Sequence, residues 1–391
     1  MASIALVTSS FWPRPGGVEE HVRRLAAELE RRGHRVAVWA VDRGDETTGV
    51  DEAVPGVHVR YLPAPLPTRS IRGVARFLAA FPSAWRSWAS AARADRPDIV
   101  HVQCYGPNGP WATALAAVRR RPLVVGVHGE TSGDADDAFG VSALQRYALR
   151  RSLARSAAVT ACSAYAAADL ARFGFAPGRA TVVGNGVDTD EAEGSPPDDL
   201  PDRYLLALGR VDRVKGFDLL VRAFARARAT GDIAADLSLV CAGDGPLVSA
   251  VKQLAQDLGV QGSVHWTGTL DRGAVVAVMA RADALVVPSR SEAFGIVVLE
   301  AMRAGVPVVA TNRGGVAEIV DDDVTGLLID PEQSEDFARA LGRITDPATR
   351  HRIGVAGRAS VVIHSWQAVT DRVEDVYQDV LGPAHHDEAL A

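Results

Sequence analysis

A chain of 391 residues and 41.3 kDa exceeds what one hydrophobic core usually organises, so two domains are expected. With 47% hydrophobic and 23% charged residues it is globular, which excludes a largely disordered chain. Its net charge of −6 excludes nucleic acid as a general partner, because phosphate binding needs a basic face.

Cys104, Cys162 and Cys241 lie far apart with no metal-ligand spacing. A disulfide framework and a zinc site are not expected, and a reducing, cytoplasmic setting is. The run from Ser3 to Thr8 has no basic flank before it, so no secretory leader is expected. No uncharged run of about 18 apolar residues is present.

Short β-branched runs alternate with helical segments along the chain. The first strands are predicted at Ile4–Thr8, Arg35–Val41, Val57–Tyr61, Asp98–Val102, Leu123–Val127, Ala158–Cys162 and Thr181–Val183. Near-continuous apolar runs of this kind suit parallel strands buried on both faces. Between the first two, Val18, Val22, Leu25, Ala26 and Leu29 fall on one face of a helix ending at Gly33. Residues 69–96 carry six arginines against Asp95, interleaved with Phe77, Phe81, Trp85 and Trp88, and Pro82 is expected to split the segment.

From Asp188 to Pro201 the chain is acidic and proline-containing with no hydrophobic period, which reads as a linker. Strands are then predicted at Tyr204–Leu208, Leu237–Ala242, Ser263–Thr267, Ala284–Val287, Val306–Ala310 and Gly326–Ile329. Helices are predicted over Phe217–Thr230, Pro246–Leu258, Ile296–Ala304 and Ser334–Ile344, with a last one after Trp366. The pattern is α/β: two doubly wound, Rossmann-like domains facing across a cleft.

Three clusters carry chemistry. Gly16-Gly17, between a strand and a helix, can present backbone N–H groups to a phosphate or sugar; taken alone it favours an ordinary tight turn. Gly209-Arg210 and Lys215-Gly216 follow a strand, and two cations beside glycines suit a diphosphate, or else a plain surface pair. Lys215 is one of only two lysines. The third is the run Ser289 to Gly295, where a strand ends and a helix carrying Glu300 opens. Phosphate at that helix start would meet free N–H groups, with Glu300 about 7 Å further on for ribose and Glu292 before the helix for sugar hydroxyls. The bland alternative is two solvated glutamates.

Gly16-Gly17, Asn185-Gly186-Val187-Asp188, Gly209-Arg210, Lys215-Gly216, Gly243-Asp244-Gly245 and Glu292 with seven residues before Glu300 occur here in order. Ala304-Gly305-Val306-Pro307-Val308-Val309-Ala310, Gly314-Gly315 and Glu318 follow. Together they resemble the retaining glycosyltransferases of family 4, nearly end to end. The resemblance implies a GT-B fold: 1–188 as acceptor domain, 189–201 as linker, 202–365 as nucleotide-sugar domain, and 366–391 as a helix crossing back plus a tail. It implies that Arg210 and Lys215 hold the donor diphosphate, that Gly17, Asn185 and Gly209 belong to the donor site, and that Glu300 holds ribose. Glu292 would bind donor-sugar hydroxyls with backbone help from Ala293, Phe294 and Gly295, and Ile296 and Val297 would offer N–H groups. His128 matches the family's active-site histidine, so His128, Arg210, Lys215 and Glu292 form the expected catalytic set. Gly16 and Glu19 are candidate acceptor contacts. After Asp188 the chain departs from the family's usual aromatic or proline-containing anchor.

The expected reaction is transfer from a UDP- or GDP-sugar to an acceptor hydroxyl with retained configuration. No cofactor and no metal is expected, since Arg210 and Lys215 supply the positive charge, although Asp188-Thr189-Asp190 and Asp134-Ala135-Asp136 fit an Asp-x-Asp string. A nucleotide-sugar epimerase, a non-catalytic binder and a phosphorylase-like enzyme are the competing readings. The arginine-rich, GC-rich, actinobacterial-type composition fits a secondary-metabolite or cell-envelope glycoside. A small dissolved acceptor is expected. The aromatics of 69–96 are expected to be a buried helix face, with a membrane-surface role for that segment as the alternative.

Overall fold

The computed structural model describes residues 1–13, 16–44, 54–131, 138–188 and 194–382. The chain forms two compact units, Met1–Asn185 with the chain from Trp366 on, and Gly186–Ser365. Residues 189–193 of the expected linker lie outside the described residues. Its described part, 194–201, lies in the second unit, where the Gly194 N–H donates to the Gly273 carbonyl at 3.1 Å.

The first unit holds a parallel sheet of β1 (Ser3–Thr8), β2 (Arg35–Val41), β3 (His58–Leu62), β4 (Ile99–Gln103), β5 (Leu123–Val127), β6 (Ala158–Ala161) and β7 (Thr181–Val182). Its order is β3-β2-β1-β4-β5-β6-β7, with every pairing parallel. β1, β4 and β5 are buried throughout, β5 as an unbroken apolar run and β4 with two polar residues, His101 and Gln103, among its apolar ones. The helix Gly17–Arg31 turns His21, Val22, Leu25, Ala26 and Leu29 inward and ends before Gly33 in the left-handed conformation.

The helix Trp366–Leu381 belongs to this first unit. Trp366, Val369, Val373, Val376 and Tyr377 enter the same core as Ile4, Leu25 and Val38. Its polar face is tied by Arg32, whose guanidinium donates to Asp371 and Glu374 at 2.5 Å each. Each valine so buried is worth about 1.5 kcal/mol or more, so apolar burial holds this helix more than its surface ion pairs do.

The second unit repeats the plan with β8 (Tyr204–Leu208), β9 (Ser238–Ala242), β10 (Val264–Gly268), β11 (Ala284–Val287), β12 (Val308–Thr311) and β13 (Leu327–Ile329). Their order is β10-β9-β8-β11-β12-β13, again all parallel. Phe217, Phe224, Leu239, Val286, Phe337 and Leu341 anchor the core between sheet and helices. In both sheets strand order reverses beside the first strand, at β1/β4 and β8/β11. Ligands of doubly wound sheets bind at such a reversal, off the carboxyl ends of the strands.

Two expectations for residues 69–96 are corrected. Pro82 does not split the segment, because one helix runs from Ile71 to Asp95. The carbonyl that loses its N–H partner to Pro82 is that of Leu78, an exposed residue, and water can satisfy it. Nor is the apolar face buried throughout. Trp88 is enclosed, with its Nε1–H donating to the Pro63 carbonyl at 2.9 Å and its ring stacked near Trp111. Ile71, Val74, Leu78 and Phe81, in the first half, are exposed. Among the described residues no helix is long and apolar enough to cross a membrane.

Candidate active site

In the second unit two loops leave the neighbouring strands β8 and β11 at the sheet's reversal point. The first, from Gly209 to Gly216, rests on the loop after β9: the Val211 N–H donates to Asp244 O at 2.9 Å. Within it Asp212 accepts the Lys215 N–H at 3.0 Å, which fixes the turn. Gly216 adopts φ +68, and a Cβ there would stand 2.1 Å from the Pro288 carbonyl. Glycine alone lets the two loops approach this closely. Arg290 then stitches them together, its N–H on Val214 O at 2.7 Å and its guanidinium forked onto Asp218 at 2.8 and 2.7 Å.

The second loop is held from below by the chain after β12. Glu292 N–H donates to Arg313 O at 3.1 Å, and Gly315 N–H donates to Glu292 O at 2.8 Å. Gly314, at φ +128, would place a Cβ 2.1 Å from the Glu292 carbonyl. The Gly314-Gly315 pair is thus the seat of Glu292.

These loops bring Lys215 and Glu292 together across 77 residues of sequence, with Nζ 2.7 Å from Oε2. Ser289, fully buried, donates its hydroxyl to the same Oε2 at 3.0 Å. The Glu292 side chain is 11% exposed and that of Lys215 34%, so the pair is partly screened from water. Burial opposes the Lys215 ammonium, but the charge and hydrogen bond of Glu292, helped by Asp212, outweigh it and raise its pKa. Arg210 lies at the mouth of the loop, 61% exposed and 3.7 Å from Asp212. The result is a fixed cation and a fixed anion side by side, able to receive a phosphate on one side and hydroxyl groups on the other.

Beyond Glu292, Phe294 is buried, and Gly295 precedes the helix Ile296–Ala304. The first N–H groups of that helix, Ile296 and Val297 among them, have no partner within it. Glu300 is buried on this helix and accepts from Arg272 at 2.6 Å. Arg272 opens the next-but-one upstream element, Arg272–Arg281, whose start is capped by Asp271 through the Ala274 N–H at 2.8 Å.

The first unit collects a separate group at the ends of β4 and β5. Glu130 accepts the N–H of His128 at 2.7 Å and of Tyr105 at 2.6 Å, clamping the two strand ends. His128 Nε2 lies 2.6 Å from Gln103 Oε1. The His21 ring stands edge-on, 4.7 Å from that of His128. Buried Asn185 lies beside both. Burial first, then histidine neighbours, lowers the pKa of His21 to about 4, of His101 to about 3, and of His128 well below its ordinary value. All three are neutral at pH 7. Gly16, which caps the first helix, and Gly17, which opens it, are exposed, and the Glu19 carboxylate folds back so far that a Cβ on Gly16 would meet it at 2.2 Å.

Of the residues singled out by sequence, Gly209, Arg210, Lys215 and the run Glu292 to Glu300 share the second unit, and Gly16, Gly17, Glu19, His128 and Asn185 the first. Sequence reasoning missed Arg272, Gln103 and Glu130, and gave Ser289, the first residue of a flagged run, no role of its own. Glu130 lies two residues from His128, but Arg272 and Gln103 carry no local signal. Asp134, Asp136 and Asp190 lie outside the described residues. Among the described residues no cluster of three or more histidine, cysteine or acidic side chains could hold a metal ion.

Residues 188–360 match the family model described as glycosyl transferases group 1, and residues 15–191 match that of Glycosyltransferase Family 4. The chain is 30% identical to the D-inositol 3-phosphate glycosyltransferase of Thermobifida fusca, over 97% of this chain and 93% of the relative. It is also 30% identical to the GDP-mannose-dependent alpha-(1-6)-phosphatidylinositol monomannoside mannosyltransferase of Mycolicibacterium smegmatis, over 93% and 94%. Among solved structures, Anabaena HepE in complex with UDP superposes with a TM-score of 0.76 at 20% identity, over 96% of this chain and 99% of HepE.

The neutral histidines give the first unit a pH signature. Unfolded, each takes up a proton near its ordinary pKa of 6.5; folded, His21 and His101 do not until about pH 4 and 3. The unfolded state therefore binds more protons below pH 6.5, and stability falls as pH drops. The melting temperature should decline from about pH 6.5 to 5, above the main carboxylate range. A flat profile across that window would contradict the assignment of neutral buried histidines.

Proposed function

The chain belongs to the glycosyl transferases group 1 family and has the GT-B fold, and from this premise we propose that it moves a sugar from a UDP- or GDP-sugar to an acceptor hydroxyl with retained configuration and without a metal. The Lys215–Glu292 pair carries the reading. Lys215, with Arg210, takes the donor diphosphate and stabilises the charge it gains on departure. Glu292 takes hydroxyls of the transferred sugar, and Glu300 the ribose, exchanging Arg272 for sugar oxygens. The N–H groups of Ile296 and Val297, with Ala293, Phe294 and Gly295, line the sugar–phosphate junction. Gly209 is proposed as a further donor contact of the second unit; in the first, Gly17, Asn185 and His128 are proposed donor contacts and Gly16 and Glu19 proposed acceptor contacts.

In this mechanism the bond from the anomeric carbon to the phosphate oxygen breaks first, leaving a short-lived oxocarbenium-like species. The acceptor oxygen bonds to the same face, and its proton passes to the departing phosphate. Glu292 is proposed as a hydroxyl ligand and not as a nucleophile; its Oε2 is held by Lys215 and Ser289. A nucleotide-sugar epimerase would turn over donor without acceptor, which a donor-only assay detects. The names of both relatives share an inositol unit, so an inositol-bearing acceptor is the class to test first. Cys104, Cys162 and Cys241 are not joined in disulfides, which fits the reducing, cytoplasmic setting proposed for the enzyme.

A second reading places the acceptor in a lipid. It draws on the exposed Ile71, Val74, Leu78 and Phe81, with Arg72 and Arg76 on the same helix.

Arg210→Ala and Lys215→Ala should each lower turnover roughly 100-fold or more, on the scale of one lost preorganised donor. The wild-type enzyme should keep full activity in excess chelator. Near-normal turnover of both variants, or loss with chelator and rescue by manganese, would defeat this site. The glutamates should separate: Glu300→Ala weakens nucleoside diphosphate binding, while Glu292→Ala spares it and impairs sugar use. Equal losses of nucleoside diphosphate affinity would contradict their roles. On the lipid reading the enzyme cosediments with anionic vesicles, less so as salt rises, and not with neutral ones. Absence from both pellets leaves the dissolved acceptor.

A further inference from the structure

His101 and Gln103 are two apart on β4, so both side chains project from the same face of a fully buried strand. Two polar side chains there are costly unless bonded, and apolar ones would pack the sheet as well. The structure shows what each touches. Tyr377 of the last helix places its hydroxyl 2.8 Å from His101 Nδ1. Gln103 Nε2 lies 3.2 Å from His101 Nε2 and 3.3 Å from its Nδ1, and Gln103 Oε1 lies 2.6 Å from His128 Nε2. A continuous polar line thus runs through the core from Tyr377 to His128, entirely within the first unit.

From this geometry we infer that Gln103 is a positioning residue: held by His101 and Tyr377, it fixes His128 as a neutral imidazole with its proton on Nε2. Each group in the line then has one role. His101 Nδ1–H donates to the Tyr377 hydroxyl oxygen, which leaves His101 Nε2 as the acceptor for the Gln103 amide N–H. The Gln103 amide is thereby oriented with its carbonyl toward His128, and His128 Nε2–H donates to it. The other ring nitrogen, Nδ1, keeps its lone pair and can accept a hydrogen bond but not give one. Which nitrogen of a histidine carries the proton is set by what the other side of the ring meets. Reversing the Gln103 amide would reverse every donor in the line and move the His128 proton to Nδ1, and this is the alternative the test decides.

The titratable and polar groups facing this line are His21, edge-on to His128, Asn185, and Glu374, whose charge bears on Tyr377; no carboxylate hydrogen-bonds to the line's side chains among the described residues. The Glu130 carboxylate binds the His128 backbone, not its ring. The line therefore selects a tautomer without charging the ring. A sugar hydroxyl that meets Nδ1 must donate to it, which orients the hydroxyl. This last step rests on the proposed donor role of His128, while the tautomer itself does not.

The test is two-bond proton–nitrogen correlation spectroscopy of the full-length enzyme labelled with ¹⁵N-histidine, with the His128 signal identified by its loss in His128→Gln. The wild type should show a single Nε2–H pattern for His128, unchanged from about pH 6 to 8. Gln103→Met should average the two tautomers and lower kcat by up to about a hundredfold, the range for a reacting group out of position. Its affinity for nucleoside diphosphate should stay unchanged, which also shows that the second unit is intact. Tyr377→Phe should shift the pattern the same way to a smaller degree, and it serves if Gln103→Met does not fold. An Nδ1–H pattern in the wild type, or a pattern untouched in the folded variants, overturns the inference. Full activity of His128→Ala would instead overturn the donor role of His128 and leave the tautomer result standing.

Discussion

One ion pair organises the second unit: Lys215 Nζ on Glu292 Oε2 at 2.7 Å, with Ser289 on the same oxygen. Neither charge would stay in place alone. An uncompensated charge at a partly buried site costs several kcal/mol or gives up its ionisation. Held together, they keep a cation and an anion at hydrogen-bond distance before any ligand arrives. A glycosyl donor needs that juxtaposition, since its phosphate and its sugar hydroxyls are adjacent. Preorganised charge acts in the transition state without the cost of rearranging there.

The pair exists because of sheet topology. β8 and β11 are neighbours only at the point where strand order reverses, so two loops distant in sequence leave the sheet side by side. Gly216 and Gly314 then let backbone approach backbone where a Cβ would stand 2.1 Å from a carbonyl oxygen. In the first sheet the Gly16-Gly17 loop follows β1 at the reversal beside β4, and the His128 cluster sits at the ends of β4 and its neighbour β5. One fold plan, used twice, yields a charged site in one unit and a neutral, histidine-lined one in the other.

Much of this was legible in the sequence. Apolar runs of four to seven residues located the strands closely, with Leu123–Val127, Tyr204–Leu208 and Ala284–Val287 read to the residue. Such runs are buried on both faces and owe little to their surroundings. Lys215 and Glu292 stood out as charges near glycines after strand ends, and Glu300 by its reach along the helix that follows Gly295. Gln103 and His101 gave no signal, since their purpose depends on Tyr377, more than 270 residues away. Arg272 was silent for the same reason. The exposed half of the helix Ile71–Asp95 was misread because an apolar stripe does not say which of its residues finds a partner: Trp88 meets Trp111, while Ile71 and Leu78 meet solvent.

The central claim is that the Lys215–Glu292 pair straddles the bond that breaks. A crystal structure of the enzyme with an intact nucleotide sugar, or a non-hydrolysable analogue, tests it most directly. The account predicts Lys215 Nζ within hydrogen-bond distance of a phosphate oxygen and the Glu292 carboxylate on hydroxyls of the sugar. A donor bound with its diphosphate away from Lys215, or with Glu292 turned from the sugar, would contradict it.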